Sequence, residues 1–231
     1  MASERAEVGR IALVALFVTA LVTAQLTAAK LLQFSLPFSL PVTGGAIVLP
    51  GAALAYAVTF FASDCYAELY GRRPAQIVVN VAFAMNFVVL ALGWTTIEAP
   101  AVNPEFAGQF RAVLAPATNI VLGSLLAYLV SQNWDVVVFH RIRDATDGDY
   151  LWLRNIGSTA TSQAIDTVIF VSVAFVLAPT VLGLGSALPT NVVVSLIVGQ
   201  YLLKLLIALV DTPFVYAVVG VIRRESPEIT A

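Results

Sequence analysis

Apolar positions along this chain come in runs long enough to cross a bilayer, separated by short connections that carry the helix breakers. Six spans are predicted, at about residues 10–30, 45–69, 75–95, 112–139, 157–182 and 190–222, each near the ~20 helical residues that cross ~30 Å of hydrocarbon. Pro37, Pro41, Gly44 and Gly45 follow the first, and Gly71 and Pro74 the second. Pro100 and Pro104 follow the third, Gly148 the fourth, and Gly183, Gly185 and Pro189 the fifth. The pattern predicts an all-α integral membrane protein of six transmembrane helices, a single domain over residues 1–231, with no room for a separate soluble domain. Within the second run, Asp64 and Glu68 stand one helical turn apart. A carboxylate at mid-bilayer costs roughly 2.5–3.5 kcal/mol on insertion scales, so an acid held there usually faces a protein interior, a cavity or a solute.

Composition strengthens this picture: 59% of residues are hydrophobic, 11% are charged, and the mean hydropathy is +0.90, which excludes an ordinary soluble domain. A net charge of −2 and the lack of any basic run exclude a nucleic-acid surface. The one cysteine, Cys65, rules out an internal disulfide and reads as a small buried residue. With the N-terminus inside, the cytoplasmic side collects Arg5, Arg10, Arg72, Arg73, Arg141, Arg143, Arg154, Arg223 and Arg224, against Lys30 and Arg111 outside. Both termini are therefore expected in the cytoplasm. A cleaved signal peptide ending near residues 23–30 is the competing reading of the first span. It is disfavoured because the apolar run exceeds the usual ~7–15 residues and removal would leave five spans.

Depth, at ~1.5 Å per helical residue, separates the polar groups. Asp64 lies roughly 10 Å above the cytoplasmic end of the second span, with Glu68 roughly one turn from it. Gln163 and Asp166 enter the fifth span by roughly 9 and 14 Å, and Gln132 and Asp135 in the fourth reach a similar level. The last span supplies Gln200, Lys204 and Asp211. Between mid-membrane and the cytoplasmic interface these groups can converge on one cavity. Each also has a structural reading. Glu68 precedes Arg72 in the favourable order for a helical ion pair, and Asp135 lies near His140, Arg141 and Arg143. Asp64, Asp166 and Lys204 can lock helices together as buried pairs. Asp211, before Pro213, fits a helix kink. Asn80, Asn86 and Asn119 fit interhelical hydrogen bonds. Ala15, Thr19, Thr23 and Thr27, like Ala20, Ala24 and Ala28, recur every four residues, a spacing that lets another helix approach, within the chain or from a separate subunit. Metal-ligand clusters, nucleophile–histidine pairs and phosphate-cradling glycine loops are missing from the sequence, which argues against an enzyme.

Three segments, Ser63, Asp64, Glu68, Tyr70 and Gly71, then residues 128–143, then residues 151–170, together resemble the YhhQ-type queuosine precursor transporters of the vitamin-uptake group. Gln200 with Lys204 one turn later also resembles the last helix of that family, while Asp211 and Thr212 have no clear counterpart. The resemblance implies a fold like that of the substrate-binding subunits of energy-coupling-factor transporters. It also implies a multi-pass protein of the plasma (inner) membrane, no cofactor and no metal. The implied solute is a 7-deazaguanine base: queuine, preQ0 or preQ1. One carboxylate can accept the paired N–H and amino donors of such a base, and an amide or lysine suits its carbonyl. The implied substrate site is Asp64, Glu68, Gln132, Asp135, Gln163, Asp166, Gln200 and Lys204, with Phe60, Phe61, Tyr66 or Trp134 as stacking faces. Small-molecule substrate and membrane lipid are the expected partners; homo-oligomerisation stays open. The alternatives are a substrate-binding subunit served by a separate energising complex, an intramembrane enzyme acting on a lipid or prenyl group, and a purely structural subunit.

Overall fold

A computed structural model describes residues 2–147 and 149–225. Gly148, expected as a breaker, lies outside the described residues, as do the side chains of Arg5, Arg154, Arg223 and Arg224. The order is α1 (Ala2–Thr27), β1 (Leu31–Leu40), β2 (Gly44–Pro50), α2 (Ala53–Tyr70), α3 (Arg72–Glu98), α4 (Pro104–Leu114), α5 (Ala117–Ala145) and α6 (Leu151–Ser172). A π-helical turn (Val173–Leu177), α7 (Ala178–Leu182) and α8 (Thr190–Glu225) follow. Among the described residues, five stretches are long and apolar enough to cross a membrane: Glu7–Thr27, Arg72–Glu98, Pro104–Ala145, Ile156–Leu182 and Thr190–Ile222. The 18-residue α2, with Asp64 and Glu68 in its last two turns, is not among them.

The sequence predicts a second span from about residue 45. The structure instead pairs β1 with β2 as a two-stranded hairpin and starts α2 at Ala53. Pro37, read as a breaker, sits inside β1. Both strands of a two-stranded sheet are edges, where a missing N–H is tolerated.

The chain forms two compact units. The first holds α1, α2, α3, α4 and the C-terminal part of α8; the second holds most of the hairpin, α5, α6, α7 and the N-terminal part of α8. In the first unit, Gly51 N–H donates to Lys30 O at 2.6 Å, tying the end of α1 to the start of α2. A Cβ on Gly51 would lie 2.5 Å from Thr27 O, so this approach requires glycine. At the other end of α2, Gly71 turns the chain with φ +90 and caps Ala67 O, and α3 begins at the next residue. Leu13, Phe17 and Leu21, one turn apart on α1, meet Ala62, Tyr66 and Leu69 of α2 and Ala75 and Ala82 of α3. The two small-residue rows of α1 part company here. Ala20, Ala24 and Ala28 are buried, whereas Thr19, Thr23 and Thr27 are exposed, with the Thr23 and Thr27 hydroxyls donating back to Thr19 O and Thr23 O.

In the second unit α5 and α6 run antiparallel. A Cβ on Gly123 would meet the Ala174 Cβ at 2.8 Å and Phe170 O at 3.1 Å, so glycine lets the backbones close up. Ile120, Val121, Ala127, Phe170, Val171 and Ala174 fill the buried face. The π-helical turn ends just before α7, whose Pro179 has no N–H to give; a wider turn accommodates that loss without ending the span.

Candidate functional site

In the first unit the segment 63–71 divides cleanly between scaffold and outward-facing chemistry. Cys65, Tyr66 and Leu69 are buried in the core, while Asp64 and Glu68 are exposed one turn apart on the other side of α2. Ser63 donates to Phe60 O at 2.9 Å, so its hydroxyl serves its own helix. Arg10 Nε donates to Tyr66 Oη at 3.0 Å and its guanidinium lies 5.9 Å from the Tyr70 ring centroid. Those two tyrosines, with ring centroids 4.8 Å apart, thus brace α2 against α1. Tyr66 is committed to this brace, and Phe61 packs against the same core. Phe60 is half-buried and tilted against Tyr56.

Asp211 of α8 stands close enough to Asp64 and Cys65 for its charge to act on both. Its Oδ2 is shielded from solvent and has no hydrogen-bond partner. The sequence offers Asp211 both as a group of the polar cavity and as part of a kink at Pro213, and α8 runs through that proline to Glu225. The electrostatic coupling of Asp64 and Asp211 across α2 and α8 is a feature that sequence reasoning passed over. Only the placement of an acid in the last span hinted at it. Lys204 is half-buried on α8, one turn after the buried Gln200, whose Nε2 has no partner.

The second unit gathers a more ordered set. Ser131 Oγ of α5 donates to Asp166 Oδ1 of α6 at 3.3 Å, and Ser162 Oγ of α6 donates to Asp135 Oδ1 of α5 at 3.3 Å. In both helices the serine precedes the aspartate by four residues. Antiparallel packing therefore sets each serine opposite the other helix's aspartate, giving a reciprocal pair. Each bond is long for O–H···O, and each hydroxyl is shared with a carbonyl of its own helix, Tyr128 O or Thr159 O. Trp134 Nε1 donates to Thr161 Oγ1 at 3.3 Å along the same seam, and Tyr201 Oη to Ala160 O at 3.3 Å. Gln163 is half-buried beside Ser162, and Gln132 is exposed beside Ser131. Asp135, expected near the cluster of His140, Arg141 and Arg143, instead faces α6. Ser131 and Ser162 were missed by sequence reasoning, although the repeated serine–aspartate spacing at 131–135 and 162–166 was there to be read. Asn119 bridges to Leu184 O at 2.7 Å and Asn80 pairs with Gln76, as structural amides do. Among the described residues, no group of three His, Cys, Asp or Glu side chains is placed to hold a metal.

The family model described as "Putative vitamin uptake transporter" matches residues 50–218, a range that takes in α2, α5 and α6 and most of α8. A protein of Bacillus subtilis (strain 168) named "Probable queuosine precursor transporter" is 35% identical over 165 residues, covering 70% of this chain and 68% of that protein. No solved structure matches the chain. The apolar helices and these similarities make it a multi-pass membrane transporter and not an enzyme. The chain belongs to the vitamin uptake transporter family.

Proposed function

We propose that this chain imports a 7-deazaguanine base, queuine, preQ0 or preQ1, across the plasma membrane by alternating access. The likeness to the named queuosine precursor transporter supports the substrate class. The observation that carries the reading is the reciprocal Ser131–Asp166 and Ser162–Asp135 frame, because it holds two carboxylates on two of the segments that carry the resemblance. In this reading Asp64 or Asp166 takes the paired N–H and amino donors of the base. Gln132 and Gln163 take its remaining polar atoms, and Lys204 supplies charge balance or a carbonyl contact. Glu68 and Asp135 lie nearer the cytoplasmic exit. Charge-assisted hydrogen bonds of ~1.5–3 kcal/mol each offset the water stripped from the base. α2 is the sixth span, its acids facing the transport route rather than lipid, and both termini are cytoplasmic, as the arginine distribution requires. Helices rearrange around the bound base to open each side in turn.

The test is uptake of radiolabelled preQ0 or preQ1 into cells lacking their own transporter. Uptake that appears with this chain and disappears in its carboxylate variants supports the reading; no uptake from normally inserted protein overturns it. A second reading, a substrate-binding subunit served by an energising complex, is favoured by the exposed row of Thr19, Thr23 and Thr27, a small-residue surface left for another helix. Reconstitution of this chain alone separates the two, since uptake without any ATPase rules out the second.

A further inference from the structure

Inside the first unit, two amides are buried with nothing to bond. Gln25 and Asn86 are each 1% exposed, and Nε2 and Oε1 of Gln25 and Nδ2 and Oδ1 of Asn86 all lack a hydrogen-bond partner. Register places them in one layer. Leu21, Ala62 and Ala82 pack together across α1, α2 and α3. One turn further toward the connection between α1 and α2, each helix presents a polar residue on the same face: Gln25 on α1, Thr59 on α2 and Asn86 on α3. Thr59 is buried as well and its hydroxyl donates to Tyr56 O at 2.7 Å, leaving its oxygen able to accept. A layer of buried polar side chains with unmet hydrogen bonds is unfavourable for packing alone, because each orphaned group keeps its desolvation penalty.

We propose that Gln25 and Asn86, with Thr59, contact the transported base directly, in a form of the protein in which α1, α2 and α3 part enough to admit a planar ring. This rests on the 7-deazaguanine reading above. The pyrrole N–H and the neighbouring ring nitrogen of such a base form an adjacent donor and acceptor, which these amides take in place of Gln132 and Gln163. A side-chain amide carries one donor and one acceptor side by side, and so pairs with that edge through two hydrogen bonds. In a nucleoside the pyrrole nitrogen carries the sugar, so the amides select the free base over the nucleoside.

The experiment measures binding of preQ1, and of preQ1 methylated at the pyrrole nitrogen, to the purified full chain, alongside the melting temperature without ligand. Wild-type protein binds preQ1 and discriminates against the methylated base by about tenfold or more. Gln25→Leu and Asn86→Leu each weaken preQ1 binding by about tenfold or more and flatten that discrimination, with a ligand-free melting temperature equal to or above wild type. Variants that bind preQ1 as wild type does overturn the assignment, and a lowered melting temperature alongside unchanged binding makes the amides a packing device. Should neither variant insert, the methylated base decides alone: equal affinity of wild type for both bases sinks the idea. Wild-type protein that binds no 7-deazaguanine base refutes the proposed function itself, and this inference falls with it.

Discussion

The two units treat their aspartates differently, although each also buries polar atoms without a partner, Gln200 Nε2 and Ser124 Oγ in the second among them. In the second, each aspartate of the α5–α6 seam is met by a serine of the facing helix. In the first, Gln25 and Asn86 have no partner and Asp211 stands against a like charge on Asp64. Native interiors rarely leave such groups unmet. The contrast separates aspartates that already have partners within the fold from polar groups whose bonding improves when a ligand or a rearrangement supplies partners.

The largest effect expected is on transport. Of Asp166→Asn and Asp64→Asn, at normal insertion levels, the one that removes the base contact lowers preQ1 uptake by about tenfold to a hundredfold, the equivalent of one charge-assisted hydrogen bond. Normal uptake by both variants would remove the carboxylates from the substrate site. Next comes the frame itself. Gly123→Val, pushed against the Ala174 and Phe170 backbone, costs about 1–3 kcal/mol in thermal unfolding. Gly93→Val, with nothing within 4 Å of its Cβ, is the matched control and loses far less. Equal losses would mean that the α5–α6 seam is no tighter than its surroundings. Smaller again, Ser162→Ala removes one leg of the reciprocal pair and lowers stability by about 0.5–1.5 kcal/mol. Smallest is Asp211→Asn, which relieves repulsion with Asp64; its melting temperature stays level or rises slightly. A clear drop would show that Asp211 is held by a favourable contact, and the contrast between the units would narrow.

Much of the architecture was readable from the chain because bilayer length and apolar runs dictate helices directly. The hairpin was not, although its signal was present: Leu32, Phe34, Leu36, Phe38 and Leu40 alternate with Gln33, Ser35, Pro37 and Ser39. Pro37 and Pro41 drew the reading toward a loop because proline stops helices and interior strands alike, while an edge strand tolerates it. For the site, depth along a helix suggested which acids share a level, but not which face they take. Asp64 and Glu68, separated by depth into a solute contact and an interfacial charge, both prove to be exposed on the side of α2 away from the core. The nearness of Asp211 to Asp64, and the burial of Gln25 and Asn86, are tertiary facts; nothing in one dimension records which turns of α1, α2, α3 and α8 come level.

Pro37 has one more consequence. A two-stranded hairpin with exposed Phe34 and Phe38 offers open edges to which another extended chain can add. Proline midway along β1 interrupts the row of N–H donors, so no neighbouring strand can zip along its whole length. The same residue that hides the hairpin in the sequence limits how far an added strand can pair along β1.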